Sequence, residues 1–265
     1  MIAHSTAIIS PKARIDDDVE VGPFCIIGDD AVIGSGTKIE SHAVIEGHTT
    51  IGKNNILGVG SVIGGLPQTK SYDGEESYVK IGDSNHIREY VTIHRGSHGT
   101  RTTKIGDSNY LMAYSHLGHD VQVGNHAVVA NGAMMGGHVT IGDNAIVGGL
   151  VGVHQFQRIG RFAMVGAMSR ISFDVPPFSI VDGNPNALGG VNTTGLKRAN
   201  FSVDDIRQIR NSFKQLFFSD KLFKDAVAEA KIKQADCVYM KELLDFIKDT
   251  KRSVITRRKS SSHAA

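Results

Sequence analysis

The sequence predicts a mainly-β fold: a parallel β-helix of about eight coils followed by a small C-terminal α-helical domain. Three observations carry that expectation. An aliphatic residue recurs at every sixth position through most of the chain as far as Ile171; glycine follows many of these residues, as in "IGDD", "IGSG", "IGKN" and "IGDN"; and from Phe201 the apolar spacing changes to threes and fours. A fixed short period marks a solenoid, and six residues is the period of the parallel β-helix.

The inward series begins Ile9, Ile15, Val21, Ile27, Ile33, Ile39, Ile45, Ile51, Leu57 and Ile63, and resumes at Ile81, Ile87 and Ile93. It continues through Ile105, Leu111, Leu117, Val123, Val129, Met135, Ile141, Val147, Val153, Ile159, Val165 and Ile171. Each hexad supplies one short strand and a corner, three hexads close a triangular coil, and coils stack at about the 4.8 Å strand spacing. The isoleucine–glycine pattern resembles that of left-handed β-helices, and the left-handed sense expected here comes from that resemblance.

Two stretches break the series. Residues 64–80, "GGLPQTKSYDGEESYVK", and 96–103, "GSHGTRTT", put Thr69, Glu75 and Gly99 in inward slots. Both are expected as loops extruded from the corners, where a rigid scaffold often carries function. The ladder is expected to stop near 174–185, "DVPPFSIVDGNP", because proline withholds a donor. Beyond it, Ile206, Ile209, Phe213, Leu216 and Phe217 have helical spacing. Ser202 with Asp205 resembles a capping box, and two more helices are expected around 222–232 and 238–247. The expected division is a β-helical catalytic domain over 1–190 and a helical domain over 191–265, ending in a disordered basic tail, "TRRKSSSHAA".

Composition narrows the function. A formal charge of +2 over 265 residues offers no whole-chain attraction for nucleic acid. No apolar run approaches the roughly 20 residues that span a bilayer, and without a charged stretch followed by an apolar one at the start of the sequence, secretion is not expected. Cys25 and Cys237 form neither a disulfide framework nor a metal spacing. A cytoplasmic protein is the expectation.

The stretch "MAYSHLGHDVQVGN", 112–125, holds more chemistry than a repeat needs, because His116, His119 and Asp120 fall together. An imidazole with a pKa of about 6.5 suits a general base at neutral pH. Asp120 can orient it, and the backbone N–H of Gly137 can meet a developing oxyanion. His138, almost one coil after His119, is expected nearly above it; His94 in "TIHRG" and His154 in "VHQF" are further candidates, whereas His42 and His48 read as corner residues on the surface. Three histidines can also hold zinc; the spacing of three between His116 and His119 and the lack of a nearby cysteine weaken that reading, so a zinc site stays as an alternative while neither metal nor cofactor is the expectation.

Together, "TIHRG", "HLGHDVQVGN", "GGHVTIGDNAIVGG", "VHQF", "DVPPFSIVDGNP" and "GVNTTGLKRANFS" resemble the UDP-N-acetylglucosamine O-acyltransferase family over nearly the whole chain. The resemblance implies transfer of a 3-hydroxyacyl chain from acyl carrier protein to the 3-hydroxyl of a UDP-sugar in lipid A synthesis. It implies a homotrimer with active sites between neighbouring prisms. It makes His119 the general base, Asp120 its partner and the Gly137 N–H the oxyanion donor. Gln68, Thr69, His94, His116, His138, His154 and Gln155 become substrate contacts, with Asn192 and Arg198 on the nucleotide. Arg207, Arg210, Lys214 and Lys221 become either a docking patch for the acidic carrier or an ordinary solvated helix face.

Some positions depart from the family pattern. Thr69 stands in place of an aspartate, Lys70 precedes Ser71 where the lysine is displaced, and Thr194 and Ala199 replace a glutamate and an arginine. These fall on substrate recognition, which leaves two alternatives: a different acceptor such as a 3-amino sugar, or a sugar-nucleotide-binding solenoid without catalysis. Ala167 stands where long-chain members carry glycine at the floor of the acyl groove, which implies a preference for shorter chains.

Overall fold

The computed structural model describes residues 1–233, 237–251 and 253–256. Twenty-six short strands, β1 (Ile2–Ala3) to β26 (Arg170–Ile171) in chain order, wind into three parallel sheets of 9, 9 and 8 strands, and two later strands extend the first of these to 11. Within each sheet the neighbours are every third strand, so the eight-stranded sheet marks eight complete coils. Strands pair in parallel without slippage over most of the prism, as where His116 faces Met134 and Met134 faces Gly152.

The expected inward series fills the prism. From Val21 to Ile171 its members are at most 4% exposed; Ile9 and Ile15 are half-buried because they lie near the open end of the solenoid. The repeat starts one hexad before Ile9, at Ala3 in β1. A second buried row, two residues before each aliphatic, holds valines and small or polar residues: Val19, Cys25, Ala31, Thr37, Ala43 and onward.

In that row Asn55, Asn85 and Asn109 stack along one corner. The Asn85 amide donates to Asn55 Oδ1 at 3.0 Å and that of Asn109 to Asn85 Oδ1 at 3.0 Å; each also donates to the carbonyl of a neighbouring coil, Gly106 or Gly124, at 2.9 Å. The Ala127 N–H ends the stack on Asn109 Oδ1 at 2.7 Å. These amides are buried and satisfied, the condition under which polar groups survive in a core.

Both loops are narrower than the hexad count implied. β11 (Val62–Gly65) runs through Gly64, and β12 (Tyr78–Ile81) begins inside the first gap, leaving residues 66–77 extruded. β14 (Thr92–His94) and β15 (Thr102–Ile105) leave 95–101 as the second loop. The difference arises because β9 (His48–Ile51), β12 and β15 are four-residue strands in register. Thr49, Val79 and Thr103 thus continue the second buried row inside these longer strands.

The ladder also continues past the point where the prolines were expected to end it. β27 (Ser179–Gly183) pairs in parallel with β25 (Met164–Val165), then turns back as the antiparallel β28 (Asn186–Val191). Pro176 and Pro177 precede β27 and Pro185 lies in the turn, positions that need no ladder donor.

Four helices follow: α1 (Thr193–Arg198), α2 (Val203–Phe217), α3 (Phe223–Lys233) and α4 (Val238–Lys248). The capping box at Ser202 and Asp205 is present, and α2 buries Ile206, Ile209, Phe213, Leu216 and Phe217 as its spacing required. Arg161 ties α4 to the prism through a bidentate pair with Glu242 at 2.6 and 2.8 Å. Phe178 packs edge-on against Tyr239 at 5.7 Å. No helix among the described residues is long and apolar enough to cross a membrane. The expected disordered tail, apart from Thr256, lies outside the described residues.

Candidate active site

His119 and Asp120 occupy the corner between β17 (His116–Leu117) and β18 (Gln122–Val123). Asp120 has φ 61°, the left-handed region that aspartate tolerates better than most residues. There the two neighbouring side chains meet, with His119 Nδ1 2.8 Å from Asp120 Oδ2. The Asp120 side chain is fully buried and that of His119 14% exposed.

Burial pushes the Asp120 carboxyl upward. Hydrogen bonds from Thr100, His119 and Ser97 outweigh it and hold the group below its ordinary value of 3.8. An ionised acceptor assigns the shared proton to His119 Nδ1 and leaves a lone pair on Nε2. Gly137 follows one coil later and faces that nitrogen. A methyl group on its Cα would lie 2.5 Å from His119 Nε2 and Cε1. The Gly137 N–H donates to no backbone acceptor among the described residues.

His138 stands edge-on to His119 at 5.1 Å and stacks on Phe156 at 4.5 Å. Burial lowers its pKa, with Asp120 opposing. His116 Nδ1 lies 2.8 Å from Thr92 Oγ1. Burial, and then the neighbouring His94, push the His116 pKa down to about 4, which favours the neutral ring near pH 7. His94 Nδ1 lies 2.5 Å from the Leu66 carbonyl, which ties it to the 66–77 loop.

A cavity of about 490 Å³ opens on this face and gathers Gln68, His116, His119, Gly137, His154 and Gln155 from the expected set. Met134, Gly152 and Arg170 also line it, and sequence reasoning missed them. Their signal was register: His116, Met134, Gly152 and Arg170 face one another across successive strands.

Other expected residues lie outside the cavity lining. Thr69 neighbours Gln68, with its hydroxyl 3.0 Å from Ser71 Oγ. Asn192 is buried; it caps α1 by accepting from the Gly195 N–H at 3.0 Å and donates to the Phe162 carbonyl at 2.9 Å. Arg198, Thr194 and Ala199 are exposed around α1, and Ala167 is exposed at a corner. Arg207 pairs with Asp204 and Lys221 with Glu229, whereas Arg210 and Lys214 flank a hollow beside Phe213 and Phe218.

His119, Asp120 and His138 bring potential metal ligands within 4.8 Å of one another, as do Asp73, Glu75 and His98. In the first group Asp120 Oδ2 already accepts from Ser97 and His119, which is the geometry of a hydrogen-bonded couple. In the second group His98 joins the two loops: its Nε2 lies 2.6 Å from the Ser71 carbonyl and its Nδ1 3.5 Å from Glu75 Oε1.

The Ser71 carbonyl, then Glu75, raise the His98 pKa above its ordinary 6.5. Only the imidazolium carries the charge that attracts Glu75 while its Nε2 donates to the Ser71 carbonyl. A raised folded-state value means that this clasp is complete below the ordinary pKa and is lost as pH climbs through the raised one. Amide exchange in residues 66–77, corrected for its intrinsic pH dependence, is expected to accelerate across that window. In His98→Ala the same segment should exchange fast at every pH; unchanged protection there would remove the clasp.

Residues 174–255 match the second domain of UDP-N-acetylglucosamine O-acyltransferase, and 6–40, 30–65 and 102–137 match the bacterial transferase hexapeptide repeat. The acyl-[acyl-carrier-protein]–UDP-N-acetylglucosamine O-acyltransferase of Thermodesulfovibrio yellowstonii is 47% identical over 252 residues, 95% of this chain and 98% of that relative. Its namesake from Xylella fastidiosa is 42% identical over 258 residues, 96% of this chain and 97% of the relative. The solved UDP-N-acetylglucosamine acyltransferase of Francisella novicida superposes with a TM-score of 0.94 at 36% identity, covering 98% of this chain and 96% of that one. With this identity sustained from the first coils to the last helix, the chain belongs to the acyl-[acyl-carrier-protein]–UDP-N-acetylglucosamine O-acyltransferase family.

Proposed function

We propose that the protein moves a 3-hydroxyacyl chain from acyl carrier protein to the 3-hydroxyl of UDP-N-acetylglucosamine, a step of lipid A synthesis. The observation that carries this reading is the His119–Asp120 couple, set in the cavity with Gly137 against His119 Nε2. The names of the relatives supply the two substrates.

The sugar O3–H donates to His119 Nε2, which takes the proton as O3 attacks the thioester carbonyl. Asp120 steadies the imidazolium that forms. The Gly137 N–H donates to the oxyanion of the tetrahedral intermediate. Collapse breaks the C–S bond, and the departing thiolate takes the proton from His119 to give carrier thiol and sugar ester. A positioned base supplies about 10² to 10⁴ in rate and one oxyanion donor about 10² to 10³. Each step uses only the protein's own groups.

Residues 1–190 are the catalytic domain in this reading and 191–265 the helical one. The working unit is a cytoplasmic homotrimer, whose carrier docks by Arg210 and Lys214. Arg207 and Lys221, each paired with an acid, contribute less.

The test is a mass-spectrometric assay with UDP-N-acetylglucosamine, its 3-amino analogue and 3-hydroxyacyl carrier proteins of graded length. An ester on UDP-N-acetylglucosamine is the expected product. A larger kcat/KM for the amide would transfer the reading to an amino sugar, the alternative raised by Thr69. No product from either sugar would end it. Because one methylene is worth roughly 10- to 200-fold in such pockets, Ala167→Gly is expected to move the preferred chain length upward; an unchanged preference would reject Ala167 as the ruler.

A further inference from the structure

Asp120 takes most of its hydrogen bonds from the 95–101 loop. The Ser97 N–H donates to Oδ2 at 2.9 Å, and Ser97 Oγ lies 3.0 Å from the same oxygen. Thr100 Oγ1 lies 2.6 Å from Oδ1, closer than its other acceptor, the Thr102 carbonyl at 3.2 Å. A carboxylate only accepts, so both hydroxyl protons point at Asp120. Ser97 Oγ is also 3.1 Å from His119 Nδ1. With its own proton committed, that oxygen gives the imidazole N–H a second acceptor, and one proton bridges Asp120 and Ser97.

The backbone makes this arrangement rigid. Ser97 sits at the neck of its loop, where the Arg101 N–H donates to its carbonyl at 3.0 Å and Gly96 donates to Tyr78 O at 3.2 Å. The neck is narrow: a methyl group on Gly96 would lie 2.1 Å from the Thr102 nitrogen. Ser97 is 3% exposed and Asp120 1%. Water therefore cannot replace the bonds from Ser97, and an unmet donor or acceptor there carries its full desolvation cost.

We propose that Ser97 and Thr100 are positioning residues for the acyl transfer: together they fix the Asp120 carboxylate, ionised and aimed, so that it holds His119 with Nε2 facing the acceptor hydroxyl. The inference rests on His119 being the general base. Neither residue touches substrate; both act through Asp120. The low carboxyl pKa of Asp120 accords with this, since burial alone would move it the other way.

The experiment compares full-length Ser97→Ala, Thr100→Val, the double variant, Ser97→Thr and His119→Ala with the wild type, across pH, with melting temperature and assembly state measured for each. Ser97→Ala is expected to lower kcat about tenfold or more, the size of a lost hydrogen bond to a charged group, with sugar KM nearly unchanged. The acid limb of its kcat/KM profile should move to higher pH, because a carboxylate relieved of donors holds the imidazolium more firmly. Thr100→Val should act in the same direction but less, since Thr100 is exposed. Ser97→Thr should restore both kcat and profile. If His119→Ala is dead while Ser97→Ala and the double variant keep the wild-type kcat and pH profile, the positioning role is overturned and the general base stands. If His119→Ala remains active, the general base fails and this inference fails with it. Should Ser97→Ala not fold, a wild-type kcat and profile for the near-isosteric Thr100→Val overturns it instead.

Discussion

His119→Ala is expected to lower kcat by about 10² to 10⁴, the usual contribution of a positioned base. The sugar KM should change little, since the imidazole meets a proton that moves only in the transition state. The acid limb of the pH–rate profile should flatten as well. The fold should survive: Asp120 keeps Ser97 and Thr100 as donors, so the variant leaves no bare buried charge. A melting temperature close to the wild type, together with lost turnover, separates chemistry from collapse. A variant that still turns over at the wild-type rate would return the chain to the reading of a binding solenoid.

Gly137→Ala should be nearly as damaging, for a geometric reason. The added methyl would sit 2.5 Å from two ring atoms of His119 and 3.0 Å from a third. Gly137 is not among the positive-φ glycines, so alanine suits its backbone and strain is not the cause. The imidazole has to swing aside, which breaks its 2.8 Å contact with Asp120. A displacement of about 1 Å at a reacting centre costs roughly 10² in rate. A crystal structure of the variant should show the ring rotated away with the coils unmoved. Wild-type kcat with the ring in place would mean that Gly137 has no steric part in holding the base.

What could be read from the sequence follows from how local each feature is. The inward aliphatics were legible because each coil repeats the last without slippage, so one count runs from Val21 to Ile171. The early starts of β12 and β15 were hidden because the six-residue count marks only the inward aliphatic and not Val79 or Thr103 two residues before it. β27 and β28 were hidden because a proline in a corner and a proline in a strand look alike in sequence. His119 and Asp120 were found because they are adjacent. Ser97 and Thr100 were missed because they reach Asp120 across 23 and 20 residues from a segment that breaks the repeat. Arg170 was missed because a histidine search does not weigh the residues that stack above one.

The asparagine stack bears on a hazard peculiar to repetitive chains. A solenoid can be wound one turn out of step and still keep nearly every aliphatic inside, so its oily core is almost blind to the mistake. The amides are not blind. In a chain wound one turn out of step, Ala127 would stand against Asn85 and offer no side-chain amide to its Oδ1. Each amide stranded in this way would cost about 1–3 kcal/mol. Three successive turns carry the machinery: Ser97 and Thr100 on one, His119 and Asp120 on the next, Gly137 on the last. A prism assembled out of step would be a well-made object with its acid, base and glycine on the wrong floors. Asn55, Asn85 and Asn109 therefore favour the one winding in which each amide meets the next.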